Sequence, residues 1–207
     1  MLTWIKWGVW VTLATVLVAF LHYTLPQRDI VYITNTSNRL ISFGANSIFW
    51  ASPDVGMNEV SGAIQRDVLF IDSVRPNGRV SVYRNEDTGW IWPPYFKFNS
   101  SNVQAEARNL ISNSENPKWV AVRHYGWRIP WLSVFPNVVS VSPVEGPDVR
   151  LIPWFNIFFL TFLFAVFWAV RVRWIRFRNR RVRPTVDAIE AAVDEQAAGV
   201  RRWFGRR

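Results

Sequence analysis

Leu151-Ile-Pro-Trp-Phe-Asn-Ile-Phe-Phe-Leu-Thr-Phe-Leu-Phe-Ala-Val-Phe-Trp-Ala-Val170 is a run of 20 residues with no charged side chain. At about 1.5 Å of rise per residue, a helix of this length spans about 30 Å, the hydrocarbon thickness of a bilayer. Seven arginines follow within 13 residues: Arg171, Arg173, Arg176, Arg178, Arg180, Arg181 and Arg183. Positive charge flanking a span holds that flank in the cytoplasm, and the same arginines suit anionic lipid headgroups. The stretch therefore places the chain among integral membrane proteins.

A second apolar run lies near the start, Trp7 to Leu25, 19 residues closed by Pro26. The chain continues Leu21-His-Tyr-Thr-Leu-Pro-Gln-Arg28 with no small-x-small cleavage site, so the run reads as an uncleaved anchor rather than a signal peptide. Lys6 sits at one end, and His22 and Tyr23 near the other, where side chains reach the lipid interface. Two spans bring both termini to the cytoplasm and place the middle segment outside. The expected organisation is an anchor at 1–27, a periplasmic β-rich domain at 28–150, a second transmembrane helix at 151–170 and a basic cytoplasmic tail at 171–207. In that tail Val186, Ile189, Val193, Ala197 and Val200 follow the spacing of a short amphipathic helix. A bacterial inner membrane is the expected location.

Composition narrows the chemistry. The chain has no Cys, which excludes disulfides, thiolate catalysis and Cys-ligated metal, and only two His, His22 and His124, which excludes a multi-histidine site. The net charge of +9 is not spread evenly: residues 171–207 carry eleven Arg against four acids. Charge massed beside a membrane span argues for lipid and topology, not for nucleic acid. Thirteen Trp and 15 Phe exceed what a small core needs, and Trp favours the headgroup layer, where its body is apolar and its N–H finds a partner.

Within 28–150, Asp29-Ile-Val-Tyr-Ile-Thr-Asn35, Asp67 to Val74 and Arg79 to Arg84 read as strands. Arg75-Pro-Asn-Gly78 makes a hairpin turn, since Pro presets φ and Asn-Gly accepts positive φ. Residues 102–112 are expected to be a short amphipathic helix carrying Val103, Ala107 and Leu110, opened by a capping box of Ser101 and Gln104. Asn116-Pro117 stops it, and Lys118 to His124 and Asn137 to Val141 supply two further strands. Three strands, a helix and two strands is the element order of an OB-like five-stranded barrel, with residues 40–65 as an insertion.

No catalytic motif stands out. Glu86-Asp87 reads as a polar hairpin end, because adjacent strand residues point to opposite faces. His124 lacks an acid that the sequence identifies. Two aromatic clusters carry more information: Trp90, Trp92, Tyr95 and Phe96 in one, and Trp127, Trp131 and Phe135 with Arg128 in the other. These residues are the candidates for contact with a partner or the membrane surface. Gly126-Trp-Arg-Ile-Pro-Trp131 reads as a loop, and Arg128 among aromatics is open to cation–π and phosphate contacts.

The string Lys97-Phe-Asn-Ser-Ser-Asn-Val103, then Trp119-Val-Ala-Val-Arg123, then Gly126 through Val141 resembles an uncharacterised family of small membrane-anchored proteins of bacteria and their phages. With Leu21-His-Tyr-Thr-Leu-Pro26, Tyr83 through Trp90 and Pro153-Trp-Phe-Asn-Ile157, the chain is most similar to the alphaproteobacterial two-helix form. The phage-type members resemble it only over the β domain. The resemblance implies a shared domain with no catalytic residues and no cofactor. The expected function is that of a non-enzymatic accessory or scaffold protein, binding the bilayer and another membrane or periplasmic protein. The alternative is an envelope enzyme or small-ligand binder with a pocket at the barrel mouth.

Overall fold

The computed structural model describes residues 2–42, 47–50, 58–60, 63–89 and 93–184. The chain forms two units, Met1–Pro153 and Trp154–Arg207. The first opens with helix α1, Leu2–Thr24, apolar on every face and exposed along nearly all its length. Its threonines do not break this pattern. The Thr12, Thr15 and Thr24 hydroxyls donate to carbonyls one turn back, on Gly8, Val11 and Phe20, each at 2.9 Å.

The β domain follows after two residues. Its strands are β1 (Gln27–Ser42), β2 (Asn58–Val60), β3 (Ala63–Val74), β4 (Val80–Asn85), β5 (Trp119–Tyr125) and β6 (Asn137–Pro143), with helix α2 (Ser100–Asn109) between β4 and β5. They form one mixed sheet in the order β1-β5-β6-β4-β3-β2. β1 serves two partners. Gln27–Tyr32 run antiparallel to β5, and Tyr32–Ser42 run antiparallel to β3, with a register shift between Ile33 and Asn35. β4 and β6 meet in parallel at Arg84 and Asn137. The expected β-rich domain with one short helix is thus present, and β1 runs well past the expected strand at Asp29–Asn35.

Helix α2 differs from its expected form. It begins at Ser100, ends at Asn109, and Asn99 caps it without a side-chain bond. The capping box does not form, because the Gln104 amide turns inward to Asn85 and to the Phe70 carbonyl. A stronger acceptor replaces it: the Asp87 carboxylate takes the Ser100 N–H at 2.9 Å and the Ser100 hydroxyl at 2.8 Å.

Alternation sets the core. On β5, Val120, Val122 and His124 point inward, and on β1 Val31 and Ile33 do the same. With Ile71, Tyr83, Val138 and Val141, the Val120, Val122, Val31 and Ile33 side chains pack under Val103 and Ala107 of α2 and Leu110 at its end. β3 is buried on both faces, since Val68 and Phe70 pack on the opposite side against Trp50, Val82 and Phe135.

In the second unit, helix α3 runs from Trp154 to Phe177 and continues as a π-helical turn, Arg178–Val182. Pro153 precedes its first residue, so the helix starts three residues later than the apolar run. It also continues through the arginines that were expected to follow it. Aromatic rings stack one turn apart along its surface, as in Trp154–Phe158, Phe155–Phe159 and Phe164–Trp168. Thr3–Thr24 and Trp154–Arg181 are both long and apolar enough to cross a membrane, and neither is buried by protein. The chain is a two-pass membrane protein whose spans contact lipid.

Candidate functional site

The last turn of α1 is built into the domain. Tyr23, expected at the lipid interface, is instead 5% exposed. Its ring lies 5.3 Å from the Trp127 ring, edge to face, and 6.0 Å from Phe49. The Gly126 N–H donates to the Tyr23 carbonyl at 3.0 Å. Gly126 has φ +83, a conformation that a side chain resists. The Trp127 indole N–H donates to His22 Nδ1 at 2.8 Å, and Gln27 Nε2 to the His22 carbonyl at 3.0 Å. Two residues at the end of the span, His22 and Tyr23, are therefore held by the domain that follows.

Next to this joint lies a buried ionic cluster. Arg66 and Glu86 are ion-paired, and Glu86 Oε2 also lies 3.1 Å from Arg84 Nη1. All three side chains are almost fully buried. Arg84 donates to the Tyr95 hydroxyl at 3.2 Å, and its guanidinium lies 4.9 Å above the Trp50 ring. The Glu86 backbone exchanges two bonds with the Asn137 amide, at 3.0 and 2.9 Å. Across the sheet, buried Lys97 donates to Asn85 Oδ1, while the Asn85 amide bonds to Ser100 O and Gln104 Oε1, each at 2.8 Å. Burial pushes the Lys97 ammonium down to about 7; Asp87 and Glu86 oppose that shift and Arg84 adds to it. Arg84 is also taken out of water, yet its tyrosine and Glu86 neighbours hold it firmly charged.

A third polar set lies at one end of the α2-covered core. Asp29 accepts from the Tyr83 hydroxyl at 2.6 Å, from Arg75, and from His124 Nε2 at 3.1 Å. Burial opposes the Asp29 charge, but His124, Tyr83 and Arg75 outweigh it and hold the carboxyl below its usual range. Burial and then the Asp29 charge push the Tyr83 phenol up. His124 thus has an acid on its ring, supplied from β1, 95 residues away in sequence. Its Nδ1 is buried with no hydrogen-bond partner among the described residues, while the Asp29 carboxylate stays partly exposed.

A small cavity of about 210 Å³ lies against the ionic cluster, lined by Arg66, Asp67, Leu69, Asn85, Glu86, Asp87 and Ser100. Glu86 and Asp87, expected at a polar hairpin end, instead sit inside the fold. Glu86 is neutralised by two arginines and Asp87 caps α2. His124 and Arg123 do not line this cavity. Among the described residues no group of three or more His, Cys, Asp or Glu is arranged to hold a metal.

The candidate contact residues separate. Trp127, half-buried, closes a groove of about 480 Å³ along α1 formed by Val11, Ala14, Thr15, Val18, Ala19 and His22. Trp131 is 82% exposed at the tip of a short turn, Pro130–Leu132. Arg128 is exposed; its guanidinium lies 4.2 Å from the Phe135 ring centre and bonds the Val134 carbonyl at 2.9 Å. Phe135 packs edge-on to Phe70 at 5.2 Å. Tyr95 is buried and stacked on Tyr125 at 4.5 Å, whereas Phe96 is half-exposed at φ +39. Trp90, Trp92 and the expected tail helix beyond Pro184 lie outside the described residues. Arg171 lies 5.7 Å from the Trp168 ring on α3, and Arg173, Arg176 and Arg180 follow on the same exposed helix.

Sequence reading missed Arg66, Arg84, Asn85 and Lys97. The signals were faint: Arg84 occupies the same strand face as Val80 and Val82, and Lys97 sits alone between Phe96 and Phe98.

A family model described as a protein of unknown function (DUF1523) matches residues 2–178, both spans and the domain between them. An uncharacterised protein of Haemophilus influenzae is 32% identical over 144 residues, 70% of this chain and 76% of that one. No solved structure matches the chain. The match across both helices and the sheet means that the chain belongs to the DUF1523 family of proteins of unknown function.

Proposed function

We propose that this chain is a non-enzymatic accessory or scaffold protein of a bacterial inner membrane, with both termini cytoplasmic and the β domain held in the periplasm. In this reading the domain is an OB-like barrel, supported by β1 pairing both β5 and β3 and by the helix between β4 and β5, with the short β2 as an addition. The arginines from Arg171 to Arg183 support the orientation and a contact with anionic headgroups. In the same reading, the two-span layout resembles the alphaproteobacterial form of the family.

One observation carries the proposal. The last turn of α1 is clamped by Gly126, Trp127 and Gln27, so the domain is presented in one pose at the membrane and not on a free tether. A fixed pose suits a surface that binds a protein partner or the membrane itself. Cross-linking of the full-length protein in its native membrane, followed by recovery in several mild detergents, tests this. A discrete partner complex is the expected result, and a free monomer in every detergent would reject the scaffold role.

The cavity beside Glu86 favours the second reading, a small-ligand binder or envelope enzyme. Its buried wall groups already bond one another, which leaves a ligand little to satisfy.

A further inference from the structure

We infer that the hairpin of residues 126–135 lies within the headgroup layer of the bilayer that α1 spans, with Trp131 directed to the acyl-chain boundary. The inference rests on the two-pass reading and adds a specific lipid contact to it.

Depth is the first argument. With 23 residues, α1 is about 35 Å long, a few ångströms more than the hydrocarbon core, so its last turn falls in the interface. His22 belongs to that turn, and the Trp127 indole is hydrogen-bonded to it. The groove under Trp127 runs back along α1 as far as Val11, three turns into the span. Trp127 is therefore at interface depth by direct attachment, and Trp131 is four residues further along the same hairpin.

Backbone satisfaction is the second. A loop enters a layer poor in water only if its N–H groups already have partners. Here Ile129 and Val134 exchange both N–H···O bonds at 3.1 Å, Leu132 donates to Ile129 O, and Ser133 donates to Pro130 O. Pro130 has no N–H to satisfy. Ser133, at φ +52, turns the chain back. The hairpin is thus preorganised, and Trp131 stands at its tip with 82% of its surface uncovered.

The side chains also match an interface. An exposed indole and a guanidinium carried on one short hairpin suit lipid, the ring at the glycerol level and the cation toward phosphate. Arg128 supplies that charge, braced on Phe135 and Val134 O.

Because the chain has no Cys, single nitroxide probes can be placed at will. Full-length Trp131→Cys, Ser133→Cys, Leu13→Cys and Glu115→Cys proteins are labelled and reconstituted in vesicles of phosphatidylcholine and phosphatidylglycerol. Collisions with oxygen, which enriches in lipid, are compared with those of a water-soluble nickel chelate. Glu115 lies beyond the far end of β5 from Gly126 and reports the aqueous limit. Leu13, in the middle of α1, reports the hydrocarbon. The oxygen-to-nickel ratio at 131 is expected to be several-fold above that at 115 and below that at 13, with 133 between 115 and 131. A ratio at 131 equal to that at 115, with 13 still in hydrocarbon, overturns the inference but leaves the two-pass reading standing. Shielding of 131 from both reagents also overturns it, because protein then covers the tip. Nickel access at 13 overturns the two-pass reading itself.

Discussion

At the residue scale, the buried charges make the sharpest demands. Glu86 is the shared counter-ion of Arg66 and Arg84, so Glu86→Gln removes the one carboxylate that both buried guanidinium groups contact. Breaking a buried ion pair from one side typically costs about 3–5 kcal/mol. The full-length protein in detergent should lose that much in denaturant unfolding, while Glu145→Gln, in the loop after β6, should lose almost nothing. Lys97 imposes a pH dependence. Its ammonium titrates at about 7 in the fold and near 10.5 when unfolded. Between those values the unfolded chain holds a proton that the folded chain lacks, so stability rises with pH across that window. Below about 7 both states are protonated and the cost of burial is fully expressed. Lys97→Met should flatten the rise between pH 7 and 10, whatever its effect at a single pH, and unfolding curves across that range would read it out.

At the element scale, the joint between α1 and the sheet is the feature most open to mutation. Trp127→Phe keeps the ring on Tyr23 but removes the N–H that reaches His22. One neutral hydrogen bond contributes about 0.5–1.5 kcal/mol, so the domain should stay folded while hydrogen exchange at Tyr23 to Gln27 increases. Gly126 tests the same joint by shape. Gly78 and Gly126 share positive φ, but a Cβ at 126 would lie 3.4 Å from the Tyr23 ring whereas one at 78 would meet nothing. Both Gly→Val changes bear the backbone strain; only that at 126 also pushes on α1. A thermal melt should rank Gly126→Val clearly below Gly78→Val, and equal losses would mean that Tyr23 yields freely.

At the scale of the whole molecule, orientation follows from the arginine flank of the second span in the reading proposed above. Replacing Arg171, Arg173, Arg176, Arg178, Arg180, Arg181 and Arg183 with Gln removes the charge while keeping polar, hydrogen-bonding side chains. Phosphatase and fluorescent-protein fusions should then change from one orientation to a mixture. In the native chain they should report residues 60–120 outside and the C-terminus inside. A cytoplasmic signal from the middle segment would reverse the scheme.

The two spans, the β-rich middle and the turn at Arg75–Gly78 were legible in the sequence, because hydropathy, strand alternation and turn preference are summed over neighbouring residues. α2 was legible in its apolar face and misread at its ends, where Asp87, 13 residues upstream of Ser100, took over the capping role assigned to Ser101 and Gln104. The interior of the domain was beyond local pattern. Nothing near Glu86 in sequence announces Arg66, nothing near His124 announces Asp29, and Tyr23 carries no local mark of the domain that encloses it. A charged or aromatic side chain goes inside only when a distant partner offsets its desolvation or fills its surroundings. Only the tertiary structure decides which partners arrive, by folding β1 onto both β5 and β3 and returning the chain at Gly126 to the end of α1.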